Sequence, residues 1–342
     1  MGYKEQDDFL NSQSNQTNER RMIMDIKKAK LACWNILSKM KCSRDDAILI
    51  IFDEEKQDLA QIFAQQVLVI GGSPYMLKVP TPTEGKFASW FVKFLSEMVK
   101  TEFTVILLSH SMYIAKGIMD VIGRPDQGLG ELSSRFFCDW TIPTDSLVRV
   151  ESADPVEVEH YRNALLKELV VGSPIRVTTS LGTDVVLQAR SWNASGIGEV
   201  FTAPVEDSAN GVVVYDSSVY WAQPESPIKV TLENGKIKEI ECVGVESEQY
   251  QMFMADSKKD KGASILAELG VGINPNADPH GHVMEAEQAR GTCHFDFGNN
   301  IPFGGCNRSC AHYGGVVGKP TIYVDGRVVM AEGKLMSREE HE

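Results

Sequence analysis

The sequence predicts an α/β protein in two parts: an N-terminal α/β domain with a parallel sheet, and a C-terminal β-rich domain with the residues of a metal-binding site. Three observations lead there. Apolar strand-like runs alternate with amphipathic helical stretches between residues 21 and 150. From residue 174 onward the chain changes to short alternating strands separated by turn residues. Acid or imidazole side chains interrupt the apolar, glycine-punctuated segments of that second region: Glu199 in GIGEVFTAP, Glu268 in SILAELGVGIN, His294 in RGTCHFDFGNN and His312 in NRSCAHYGGVV.

In chain order, residues 1–20 are polar, rich in Asn and Gln, and read as a flexible tail. Helical periodicity over 22–40 leads into the apolar run 46–54, and a helix-like stretch at 56–68 precedes the short strand PYMLKVP. A third helical stretch, 86–99, precedes the strand 103–110, after which a helix at 112–122 and the loop GRPDQGLG (123–130) follow. Strands alternating with helices indicate parallel pairing with both sheet faces covered. No G-x-G-x-x-G and no P-loop follows any of these strands, so nothing there marks a nucleotide site. A helix at 154–170 opens on Ser and Asp with acids in its first turn. The domain boundary is placed near 170, giving an N-terminal domain of 21–170 and a C-terminal one of 171–338. In the latter, ENGK between alternating strands is a hairpin signal.

At 342 residues with 43% hydrophobic content the chain can build two cores. A formal net charge of −13, from 34 basic and 47 acidic residues, argues against nucleic acid or an anionic membrane as partner. No run reaches the roughly 18 apolar residues of a membrane span, and no signal-peptide pattern is present. The seven cysteines are odd in number and scattered, which suits reduced thiols and a cytoplasmic location.

An ionisable group buried in an apolar run without a partner costs several kcal/mol. A set of nitrogen and oxygen donors offsets that cost together around a cation. His294 and Asp296, two apart on a strand, share a face. Glycines at 270 and 272 after Glu268 allow close approach of a backbone or ligand. Glu287 stands seven residues before His294 on a short helical turn. Cys306, Cys310 and His312 form C-x3-C-x-H, readable as soft metal ligands or as small packed cysteines. Asp278, His280 and His282 in NADPHGH form either a polar loop or a surface metal cluster, and His110 reads as a strand-terminal polar residue. No G-x-S-x-G supports a serine hydrolase.

The segments SLGTDVVL, GEVFTAPVEDSANGVVVYD, PIKVTLENGKI, AELGVGINPNA, EQARGTCHFDFGNN, FGGCNRSCAHY and PTIYVDGRVV resemble the thermophilic-type leucyl aminopeptidases, a family of metal-dependent exopeptidases. The resemblance covers residues 174–335, about half the chain. It implies a two-metal centre whose ligands fall on Glu199, Glu268, His294 and His312, with Glu287 as ligand or general base. It also implies a homodimer. The last family ligand pair is His-x-Asp, and its aspartate falls on Gly314; a tyrosine that aids oxyanion stabilisation falls on Ile301. The same fold carries 2,5-dihydroxypyridine dioxygenase, which this chain resembles in the FTxPxEDSAxG and GG…H segments. The ligands of the single iron of that enzyme fall on Glu268, His312 and Gly314, so only His312 matches in type.

Matching by position therefore favours a hydrolase. The expectation is a divalent transition metal (Zn, Mn, Co or Fe, one or two ions) acting on a specialised small amide or short peptide-like substrate. The alternative is a mononuclear non-haem iron oxygenase acting on a small heteroaromatic compound, and a further one is a catalytically degenerate binding protein. Gly314→Asp is expected to restore a ligand beside His312.

Overall fold

The computed structural model describes residues 24–81, 89–101, 103–109, 135–139, 142–196 and 198–336. The tail 1–20, the helix expected at 112–122, the loop 123–130 and His110 lie outside the described residues. The chain divides into two compact units, Met1–Ser152 and Ala153–Glu342.

The first unit is built as the alternation predicts. Helix α1 (Ile26–Lys39) starts at Asp25, whose carboxylate accepts the N–H groups of Lys27 and Lys28. Strand β1 (Ala47–Phe52), helix α2 (Gln57–Ile70), strand β2 (Ser73–Lys78), helix α3 (Ser89–Thr101) and strand β3 (Phe103–Leu107) follow. The sequence reading missed strand β4 (Phe136–Cys138) and helix α4 (Thr144–Glu151); three residues are too few to show a period. The four strands form a parallel sheet in the order β2-β1-β3-β4. Ile51, Ile106 and Cys138 of its strands pack with Phe91 and Leu95 of α3. Behind β1, the Lys56 ammonium is buried 3.0 Å from the Asp139 carboxylate and donates to the Ile142 carbonyl at 2.6 Å.

The second unit begins with helix α5 (Pro155–Glu168), capped by Asp154. Its Val158 and Leu165 lie in the same buried cluster as Ile175, Val177 and Leu187 of the following strands. Helix α5 therefore packs with the C-terminal unit, whereas the boundary placed near 170 assigns it to the N-terminal domain. An amphipathic helix between two domains reads alike in sequence whichever core takes its apolar face.

Two antiparallel sheets follow. One joins β5 (Pro174–Thr178), β6 (Asp184–Gln188), β9 (Asn210–Tyr215), β10 (Ile228–Glu233), β11 (Lys236–Cys242), β15 (Thr321–Val324), β16 (Arg327–Ala331) and β17 (Lys334–Leu335), in the order β11-β10-β9-β6-β5-β15-β16-β17. The expected hairpin is its β10–β11 turn, where Asn234 (φ 49°) and Gly235 (φ 73°) both take the left-handed conformation that this tight turn demands. The other sheet has the order β14-β13-β12-β8-β7, with β7 (Asn193–Ser195), β8 (Glu199–Thr202), β12 (Leu266–Gly272), β13 (Thr292–Gly298) and β14 (His312–Gly318).

That five-stranded sheet positions the ionisable residues. Its apolar alternate positions, among them Leu269, Val271, Cys293, Phe295, Phe297 and Val317, join the core of the unit. The Tyr215 hydroxyl, fully buried, donates to the Phe295 carbonyl at 2.8 Å and ties the two sheets together. The intervening residues of β12, β13 and β14 point the other way.

Candidate metal centre

The register of the five-stranded sheet brings the sequence-predicted residues together. Glu268 pairs with Asp296, Gly270 with His294, Asp296 with Gly314, Gly298 with His312, and Gly272 with Glu199 at the start of β8. Period-two alternation along each strand then places Glu199, Glu268, His294, Asp296 and His312 on one face. Glu287 arrives from the end of a short helical turn, α6 (Val283–Ala286) by its place at the site, capped at its start by the His282 ring.

Two glycines make this face possible. A β-carbon on Gly270 would overlap Cε1 and Nε2 of the His294 ring, so the imidazole lies directly over bare backbone. A β-carbon on Gly314 would overlap Asp296 Oδ1 and the Phe295 carbonyl oxygen. The space opposite Gly314 is thus filled by the Asp296 carboxylate, and the sequence expectation that Gly314→Asp restores a ligand is corrected.

The donor atoms are close. His294 Nε2 lies 3.2 Å from Glu199 Oε2 and 3.9 Å from Glu268 Oε1. His312 Nε2 lies 3.7 Å from Glu268 Oε2 and 3.4 Å from Asp296 Oδ2. Among the described residues, three groups have ligand atoms all within 4.8 Å of one another: Glu199, Glu268 and His294; Glu268, Asp296 and His312; and Glu287, His294 and Asp296. Glu268 is shared by the first two and presents a different oxygen to each imidazole. His294 is 1% exposed, while the His312 side chain is 38% exposed and forms the open side of the cluster.

The electrostatics follow from packing acids against imidazoles. Burial pushes the Glu199 carboxyl up to about 7 against the pull of His294. Burial, reinforced by Asp296, raises Glu287 well above the ordinary carboxylate range. Burial opposes the charged form of His294, but Glu268, Glu287 and Glu199 outweigh it and hold the imidazole well above its usual value. His312 is likewise raised against its burial, chiefly by Asp296, and Asp296 is lowered in return despite its own burial. His294 Nδ1, Asp296 Oδ1 and Glu199 Oε2 are buried with no hydrogen-bond partner among the described residues. Unsatisfied donors of both nitrogen and oxygen type, converging on one face, fit a transition-metal cation.

Some expected residues stand elsewhere. Cys306 and Cys310 are exposed; their backbone N–H groups donate to Glu206 Oε1 and Asp260 Oδ2, both at 2.7 Å, and neither thiol belongs to a donor group among the described residues. Asp278 accepts the His280 N–H at 2.9 Å, and Asp278, His280 and His282 form the polar loop leading to Glu287 rather than a donor group of their own. Ile301 begins a 3-10 turn, Ile301–Phe303. That turn contributes what the sequence reading missed: Phe303 lies 5.2 Å from the His312 ring, centroid to centroid, and meets Phe201 edge-on at 5.5 Å. Asp296 also joins two of the donor groups although it is not among the expected ligands; its two-residue spacing from His294 puts it on the same face.

Comparison with known proteins relates the chain to one family model and to several solved structures, two of which are described here. A family model described as 2,5-dihydroxypyridine 5,6-dioxygenase matches residues 30–337. The structure of 2,5-dihydroxypyridine dioxygenase from Pseudomonas putida KT2440 superposes with a TM-score of 0.67 at 15% identity, covering 93% of this chain and 100% of that one. Wild-type AmpT from Thermus thermophilus superposes with a TM-score of 0.61 at 15% identity, covering 91% of this chain and 99% of that one. No curated protein matches. The mixed α/β fold, with its parallel N-terminal and antiparallel C-terminal sheets, is shared with both structures.

Proposed function

Since this chain belongs to the family described as 2,5-dihydroxypyridine 5,6-dioxygenase, matching it over residues 30–337, we propose that it is a metal-dependent oxygenase acting on a small hydroxylated N-heteroaromatic ring. The observation that carries this reading beyond family membership is the pairing of a two-imidazole, carboxylate-rich centre with an aromatic wall. Phe303 and Phe201 stand edge to face beside His312, the open side of the cluster. A flat aromatic ring is the ligand such a wall favours.

In this reading Glu199, Glu268, His294 and His312 would supply ligands to the metal centre, for which ferrous iron is the cation suited to oxygen chemistry. The cation supplies the redox chemistry that lets dioxygen react with a closed-shell ring. The chain does the rest. Phe303 orients the ring plane against His312. The buried strands β12 and β13 keep bulk water from the inner side of the centre. In this reading Glu287, whose carboxyl is grouped with His294 and Asp296, is the general acid–base group that exchanges a proton with the ring hydroxyl.

Positional matching ranked the hydrolase first, and that ranking is reversed here. It counted ligands position by position, whereas a neighbouring strand can deliver the same chemical group to the same space. Hydrolysis stays as the second reading on one observation: Glu268 lies between two donor groups, as a carboxylate shared by two cations would.

Protein loaded anaerobically with Fe(II) is expected to consume oxygen when given 2,5-dihydroxypyridine or a related hydroxypyridine, with loss of the ring's ultraviolet absorbance. Zinc-loaded protein should consume none. Activity on a leucyl anilide that persists under strict anaerobiosis with zinc or manganese, without oxygen uptake on any hydroxypyridine, would overturn the oxygenase reading in favour of the hydrolase.

A further inference from the structure

Asp296 is a buried carboxylate that the positional ligand set leaves unused. Its side chain is 6% exposed. One oxygen, Oδ2, stands 3.4 Å from His312 Nε2, and the other, Oδ1, has no hydrogen-bond partner among the described residues. An acceptor buried without a partner is destabilising, so a residue kept only to orient His312 would be a costly way to do so. The register sets Asp296 between Glu268 on β12 and Gly314 on β14, on the face that Glu268 and His312 share. Its donor atom and those of Glu268 and His312 all lie within 4.8 Å of one another. Gly314 has only backbone to offer, and the space its side chain would need is taken by Asp296 itself.

We infer that Asp296 is a metal ligand: with Glu268 and His312 it holds a divalent transition cation, supplying from β13 the carboxylate that position 314 on β14 cannot. One imidazole and two carboxylates form a donor set that suits Mn(II), Fe(II) or Zn(II). This inference rests on the metal-dependent reading of the centre but not on which reaction the centre performs. It also gives the mismatch at Gly314 a physical account. The acid sits directly across the strand pair from the glycine.

The test is a Mn(II) titration of the full chain, stripped of metal, with free Mn(II) followed by electron paramagnetic resonance. Wild type is expected to bind Mn(II) tightly. Asp296→Asn, which keeps the side chain's shape, should weaken at least one equivalent by about tenfold or more. His312→Gln should weaken the same equivalent, and the double variant should be little worse than either single one, because both remove the same cation. Asp296→Ser serves the same comparison if the asparagine variant fails to fold. An Asp296 variant that folds and titrates like wild type would overturn the inference and leave the oxygenase proposal standing. Wild-type protein that takes up no Mn(II), Fe(II) or Zn(II) would overturn both.

Discussion

Glu268→Ala is expected to abolish tight binding of divalent cations. Its two oxygens face different imidazoles, Oε1 toward His294 at 3.9 Å and Oε2 toward His312 at 3.7 Å. Alanine therefore removes a donor from two of the close groups at once. The effect can be read without a substrate. Cation at about a hundred times its dissociation constant stabilises a folded protein by roughly 2.7 kcal/mol through mass action. For a unit of this size that corresponds to a rise of several degrees in melting temperature. Wild type should show that rise with added Mn(II) or Zn(II), and Glu268→Ala should show none while keeping its circular dichroism spectrum. An equal rise in both proteins would mean that the cation binds elsewhere.

Gly314→Asp is the second large effect, and its direction is opposite to the one the sequence suggests. The new β-carbon would overlap the Phe295 carbonyl oxygen and Asp296 Oδ1 and lie 2.7 Å from Asp296 Cα. Two of those three atoms are backbone, so the clash cannot be relieved by turning one flexible side chain; β14 must move away from β13. Overpacking of this kind costs about 1–3 kcal/mol, and here it also draws His312 away from Glu268. The variant is expected to melt lower than wild type and to bind less cation. A variant that binds more cation than wild type at unchanged stability would contradict the account of this strand pair.

Local features of the sequence made the architecture legible. Alternating apolar runs and helices gave the parallel sheet, and ENGK gave the β10–β11 hairpin because few dipeptides accept two left-handed residues in succession. The five-stranded sheet around Glu199, Glu268, His294 and His312 was legible as a set of misplaced ionisable residues, but not as a register. Asp296 shows the difference. Its position two residues after His294 gave the face, but only the pairing of β13 with β14 reveals that it fills the space beside Gly314. Cross-strand replacement of one acid by another is invisible to position-by-position comparison. Phe303 was unreadable for a similar reason: its role depends on a turn that folds back over His312. Helix α5 had a legible start at Asp154 but no local mark of which core it joins.

The central claim is that this buried cluster exists to hold a cation, and metal analysis of the protein purified without chelator or affinity-tag metal tests it most directly. The account predicts about one or more equivalents of a first-row transition metal per chain, largely lost from Glu268→Ala prepared in parallel. Wild-type protein that carries almost none, and takes up none when given Fe(II), Mn(II), Co(II) or Zn(II), would contradict it and leave a catalytically degenerate binding protein in its place.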